Sequence, residues 1–194
     1  MDESGPLERL SLQLHHQTLG SLYESSYDPR RADSYRYDLN PPYQRGDVWG
    51  VEQRRNLIRS LLMGLPIGVV FVNQRPGDLE SDTVLGHVVD GKQRITTIQM
   101  FAADGFVVPA CWFPREDVLA PEACRDMSEA EGVRYSGLAP RSQRRFGNIP
   151  TGVYHSHLAD VESERDLYLL INFGGVPQAD EDRARAASIT TREG

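Results

Sequence analysis

The chain is most constrained by one stretch: Val84 to Val89 is an apolar run, Asp90 ends it, Gly91 follows, and Lys92-Gln93-Arg94-Ile95-Thr96-Thr97-Ile98 comes next. The run suits a strand buried on both faces. Ile95, Ile98, Phe101 and Ala102 then recur at spacings of three and four, which predicts a helix with one apolar side. Gly91 permits a backbone turn that residues with a Cβ avoid. A strand that hands over to a helix through one glycine leaves free backbone N–H groups and a helix dipole where an anion could bind. The same residues also fit an ordinary turn whose charges are only solvated.

Two or three such strands alternating with helices make a small mixed sheet the natural core, hence an α/β (α+β) fold. Residues 51–63 predict a helix with Leu57, Ile58, Leu61 and Leu62 on one stripe and Arg54, Arg55 and Arg59 off it. Gly64 and Pro66 close it. Ile67 to Val72 reads as a central strand and Phe106 to Phe113 as a third, bent at Pro109. Leu10, Leu12 and Leu14 alternate like a short strand, and Thr18 to Tyr23 fits one helical turn. Ser128 and Glu131 fit a capping box. Ile149 to His157 predicts a strand, and Glu162 to Phe173 predicts a helix carrying Leu167, Leu170 and Ile171. Trp49 is expected as a core anchor.

The 194 residues suffice for one core. Their net charge of −7 argues against a protein coated in nucleic acid, though not against a local basic groove. Such a patch exists: Arg134, Arg141, Arg144 and Arg145 crowd one segment and are candidate DNA contacts or a solvated helix face. Cys111 and Cys124 form no CxxC pair, so neither zinc nor a disulfide framework is expected. His155 and His157 share a strand face but lack a third ligand. The polar N-terminus and the absence of an apolar run near ~20 residues point to a cytoplasmic protein without a membrane span.

Four ordered blocks carry a family resemblance. They are Pro42-Tyr43-Gln44-Arg45 before Trp49, Leu61-Leu62-Met63-Gly64-Leu65-Pro66-Ile67, Val89 to Thr97, and Tyr168 with Ile171-Asn172-Phe173-Gly174-Gly175. Together they resemble the DGQQR family. That family includes the N-terminal domain of GmrSD-type modification-dependent restriction enzymes and of phosphorothioate-sensing defence proteins, and its fold is similar to ParB and sulfiredoxin. The resemblance covers about residues 17–177, leaving 1–16 as a leader and 178–194 as a charged tail.

The resemblance implies nucleotide binding and, in several members, NTP hydrolysis coupled to DNA restriction. The signature falls on Asp90, Gly91, Gln93 and Arg94, and the upstream Tyr-Gln-Arg on Tyr43, Gln44 and Arg45. Lys92 stands where the family usually has glutamine. It keeps a phosphate-facing donor but not an amide able to position water. On this reading Arg94, Lys92 and Arg45 neutralise phosphate, aided by Gly91 and the hydroxyls of Thr96 and Thr97. Asp90 holds Mg²⁺ or orients a water, and Gln93 or Gln44 positions that water or binds a base edge. Asp90 paired with Arg94 or Arg45 as a purely structural ion pair is the alternative. Arg45 is expected to form the wall opposite the Asp90–Arg94 turn. GmrSD-type enzymes usually carry an HNH-type nuclease half whose histidine-rich motif is missing here, so DNA cleavage would need a separate nuclease subunit. A ParB-like DNA-binding or DNA-nicking module is a second reading, and a catalytically silent protein that binds a nuclease partner is a third. No motif encodes the oligomeric state, a homodimer included.

Overall fold

The computed structural model describes residues 9–24, 36–44, 46–77, 84–124 and 131–173. Two sheets and five α-helices make up the described residues, a mixed α/β fold. The larger sheet contains β1 (Gln13–Thr18), β2 (Arg36–Asp38), β3 (Val70–Asn73), β4 (Val84–Asp90) and β8 (Pro150–Ser156), in the order β1-β8-β3-β4-β2. β3 lies at its centre, antiparallel to β4 and parallel to β8. The edges are β1, antiparallel to β8, and β2, parallel to β4. The smaller sheet is antiparallel throughout, in the order β5 (Val108–Pro109), β7 (Glu131–Val133), β6 (Pro121–Ala123).

The helices are α1 (Leu19–Glu24), α2 (Val51–Leu62), α3 (Lys92–Ala102), α4 (Pro140–Gly147) and α5 (Val161–Phe173). Strand alternation divides them between the two faces of the large sheet. Val70, Val72, Val88 and Val153 face α3 and pack on Ile95. Val89 faces the other way, onto Leu167 and Tyr168 of α5 and onto Tyr43. A separate cluster built on Phe101 and Phe146 joins α2, α3 and α4 to the small sheet. Trp49, expected as a core anchor, is only partly buried and packs on its margin.

The strand expected over 67–72 begins only at Val70, because Gly68 turns the chain with φ +81°. The strand expected over 106–113 shrinks to two residues, and a 3₁₀ turn over Ala110–Trp112 takes the rest. Glu131 opens β7 rather than capping a helix, and Ser128 lies outside the described residues. Leu170 is solvent-exposed, so the apolar stripe of α5 runs through Leu167 instead. β1 takes in residues 13–16, which had been assigned to the leader. Arg54 and Arg55, off the apolar stripe, are nonetheless buried, because each has hydrogen-bond partners. Arg54 bonds Thr97 and pairs with Asp47, and Arg55 bonds the Val107 carbonyl and Glu52.

Candidate functional site

Asp90 is the last residue of β4 and Lys92 the first of α3. Between them Gly91 adopts φ +105°, and a Cβ there would lie 2.9 Å from Val70 Cγ2. Both the left-handed backbone and the contact with β3 therefore demand glycine. Glycine also offers no side-chain cap, so the helix start is not closed by its own N-cap residue.

Arg94 lies one turn beyond Asp90. Its Nη2 donates to Asp90 Oδ2 at 2.6 Å and its Nη1 donates to the Ile67 carbonyl at 2.8 Å. Gly68 makes room for this: a Cβ there would come within 2.9 Å of Arg94 Nη1. The guanidinium is thus pinned between the end of β4 and the turn preceding β3.

The other signature residues bind the segment over 40–50. Lys92, 9 % exposed, donates from Nζ to Asn40 Oδ1 at 2.9 Å. Burial lowers its pKa, an effect opposed by the carboxylates of Asp47 and Asp38. Gln93 donates to the Gly46 carbonyl at 2.9 Å and accepts from the Val48 N–H at 3.4 Å. Gln44 donates to the carbonyls of Val88 and Val89 at 3.0 and 2.7 Å. Thr97 is fully buried and accepts from Arg54 Nη1 at 3.3 Å, while Thr96 is half-buried. Arg45, expected as the opposite wall, lies outside the described residues. Asp47, two residues on, pairs with Arg54.

A second polar cluster was not expected from the sequence. Glu164 of α5 has no solvent exposure and receives both Nε and Nη2 of Arg75, at 2.8 and 2.7 Å. Asn73 Nδ2 donates to the same carboxylate at 2.7 Å and the Tyr43 hydroxyl donates at 3.2 Å. Burial and then the neighbouring Glu164 charge push the Tyr43 hydroxyl far above its ordinary pKa. The cluster fastens α5 and the 40–50 segment to β3. The only prior hint was Tyr43 in the motif block; Glu164 reads in sequence as one of several acids in a first turn.

The basic segment divides. Arg134 pairs with Glu122, and Arg141 pairs with Asp117 and Glu116. Asp117, sealed from solvent, also accepts from Ser142 Oγ at 2.7 Å. The Ser142 hydroxyl and, against the opposing effect of burial, Arg141 hold it below the usual carboxylate range. Arg144 and Arg145 are exposed in the last turn of α4. Arg145 borders an apolar cavity of about 700 Å³ that also touches Ile67 and Gly68, the residues against which Arg94 rests. Among the described residues no three His, Cys, Asp or Glu side chains gather as a metal site, and no helix is long and apolar enough to cross a membrane.

The junction thus joins a glycine-turned strand end and helix start with a carboxylate, a lysine and a pinned arginine, braced by two glutamines. Residues 30–187 match the family described as GmrSD restriction endonuclease, N-terminal domain, and the chain belongs to that family. No curated protein and no solved structure matches it.

Proposed function

We propose that the chain is the nucleotide-binding domain of a DNA-restriction system acting in phage defence, and that it hydrolyses a nucleoside triphosphate. The observation that carries this reading is the gathering of Asp90, Lys92 and Arg94 around the glycine-turned start of α3. Phosphate oxygens would meet two side-chain cations and the positive end of the helix, the usual electrostatic means of binding a transferable phosphoryl group. Arg94 uses only Asp90 Oδ2, so Oδ1 is the atom that would take a Mg²⁺ brought in with the polyphosphate. Gln44 and Gln93 serve this site by bracing its loop on main-chain atoms. The ParB/sulfiredoxin-like ancestry and the separate nuclease subunit belong to the same reading.

The test is calorimetric titration with GTP, CTP and ATP, with and without Mg²⁺, alongside Arg94→Ala and a phosphate-release assay that includes Asp90→Ala. Micromolar binding of one nucleotide, lost in Arg94→Ala, supports the reading. No binding at millimolar nucleotide overturns it.

Exposed Arg144 and Arg145 favour one additional reading, direct contact with DNA phosphates. A gel shift that weakens with salt and needs both arginines supports it. Unaltered DNA mobility at low salt rules it out.

A further inference from the structure

The cavity beside Arg145 has no part in the nucleotide reading. It lies between the turn over 64–68, the turn over 112–114, α4 and the start of β8. We propose that it binds a small molecule with a flat apolar body and one negatively charged group.

Its volume, about 700 Å³, falls within the roughly 300–1,000 Å³ of pockets that enclose small ligands. Leu61, Ile67, Trp112, Phe113 and Phe146 supply apolar and aromatic walls. Leu65 at its border stays 50 % exposed, a large apolar side chain left in water. A flat apolar ring system can stack on these aromatic walls and gains more from covering them than a polar ligand of equal size.

Two polar features select the rest of the ligand. Arg145 borders the cavity from the exposed face of α4. The nearby carboxylate of Asp117 feels its charge but is already bonded by Ser142 and Arg141. An anion in the cavity therefore meets a cation at the rim, whereas a cationic ligand would be repelled. The second feature is Thr151, which lines the cavity, is 7 % exposed, and has a buried hydroxyl without a hydrogen-bond partner. A buried hydroxyl left without a partner is destabilising. Rotation about χ1 exchanges a threonine methyl for its hydroxyl, so a polar atom of the ligand can satisfy it. A wholly apolar ligand answers neither feature. A triphosphate needs several cations, and Arg145 is the one charged side chain in the described lining, so this site is distinct from the one at α3.

The probe is 8-anilinonaphthalene-1-sulfonate, an aromatic body with one sulfonate, set against the uncharged N-phenyl-1-naphthylamine. Both are titrated into the full chain by fluorescence, with calorimetry for stoichiometry. The expected result is one site for the sulfonate, weakened about tenfold or more by Arg145→Glu, with the neutral probe unmoved. Thr151→Val is expected to weaken the sulfonate several-fold while raising the melting temperature, opposite signs that a merely structural threonine would not give. Should Arg145→Glu lose the native circular-dichroism spectrum, Arg145→Gln makes the same comparison with the charge removed. Equal affinity for the two probes, or sulfonate binding indifferent to both Arg145 variants, overturns the proposal. Loss of nucleotide binding with intact probe binding would instead count against the α3 site alone.

Discussion

Two arginine–carboxylate pairs hold opposite faces of the same sheet, and they are built differently. Glu164 and Arg75 meet on the α5 side, where the carboxylate is sealed from solvent and receives four donors. Asp90 and Arg94 meet at the α3 junction, where the carboxylate remains 27 % exposed and receives one side-chain donor, Arg94. The sealed pair has its hydrogen-bonding capacity filled from within and can only support structure. The open pair retains an oxygen and a water-facing edge, so it can exchange contacts with a ligand at small cost. Ion pairing alone therefore does not distinguish a carboxylate that is filled from one with capacity to spare; the count of internal partners does.

Breaking the sealed pair should have the largest effect. Glu164→Ala strands Arg75, Asn73 and Tyr43 around a buried gap, and chemical denaturation should show a loss of about 3–5 kcal/mol. Glu164→Gln should recover part of it.

Acid should distinguish the faces next. His155 follows Val153 by two along β8, so it shares the α3 side, where its ring meets the Tyr37 hydroxyl at 3.3 Å. Burial first, then the nearby His15 and His157, lowers its pKa from 6.5 to about 4. The unfolded chain binds a proton near pH 6.5 and the folded chain only near 4, so stability falls as pH drops through that window and is level above it. Solvent screening leaves a loss of about 2 kcal/mol between neutral pH and the lower end of that window. Denaturation of His155→Gln across that range should show a correspondingly flatter profile; an identical slope would remove His155 as the cause.

Gly91→Ala tests the open pair through its backbone. The φ of +105° and the clash with Val70 should cost about 1–3 kcal/mol and should also disturb nucleotide binding by moving Asp90 relative to Arg94. Normal melting and normal binding together would show that the junction does not need glycine.

Arg94→Ala should destabilise least, by about 1 kcal/mol, because one partly exposed pair and one carbonyl contact are lost. Its nucleotide affinity should nonetheless drop about tenfold or more. A variant that melts early but binds normally would make Asp90–Arg94 a second structural pair and erase the contrast.

What the sequence revealed tracks how local each signal is. α2 and α3 follow from periodicity, and β4 from an apolar run that ends at a glycine. The burial of Arg54 and Arg55, which lie off the apolar stripe, left no local sign because their partners Thr97 and Val107 lie 43 and 52 positions away. Glu164 and Arg75, 89 positions apart, left no local trace. The bend read at Pro109 is a 3₁₀ turn at Ala110–Trp112, and the apolar run after the proline gave no sign that the strand stops there. At the junction the residue types and order were legible, because Gly91 and its flanking charges are contiguous. The bracing roles of Gln44 and Gln93 were not, since an amide side chain does not announce whether it will meet water, a ligand or main chain.

Those two glutamines have a further consequence. Both contact only main-chain atoms: Gln44 the carbonyls of Val88 and Val89, Gln93 the carbonyl of Gly46 and the N–H of Val48. Gln93 grips the 46–48 loop by its peptide groups, and that hold is independent of the side chains at 46 and 48. Gly46 and Val48 are therefore open to substitution while the path of the chain stays in place, whereas Asp47 is fixed by its pairing with buried Arg54.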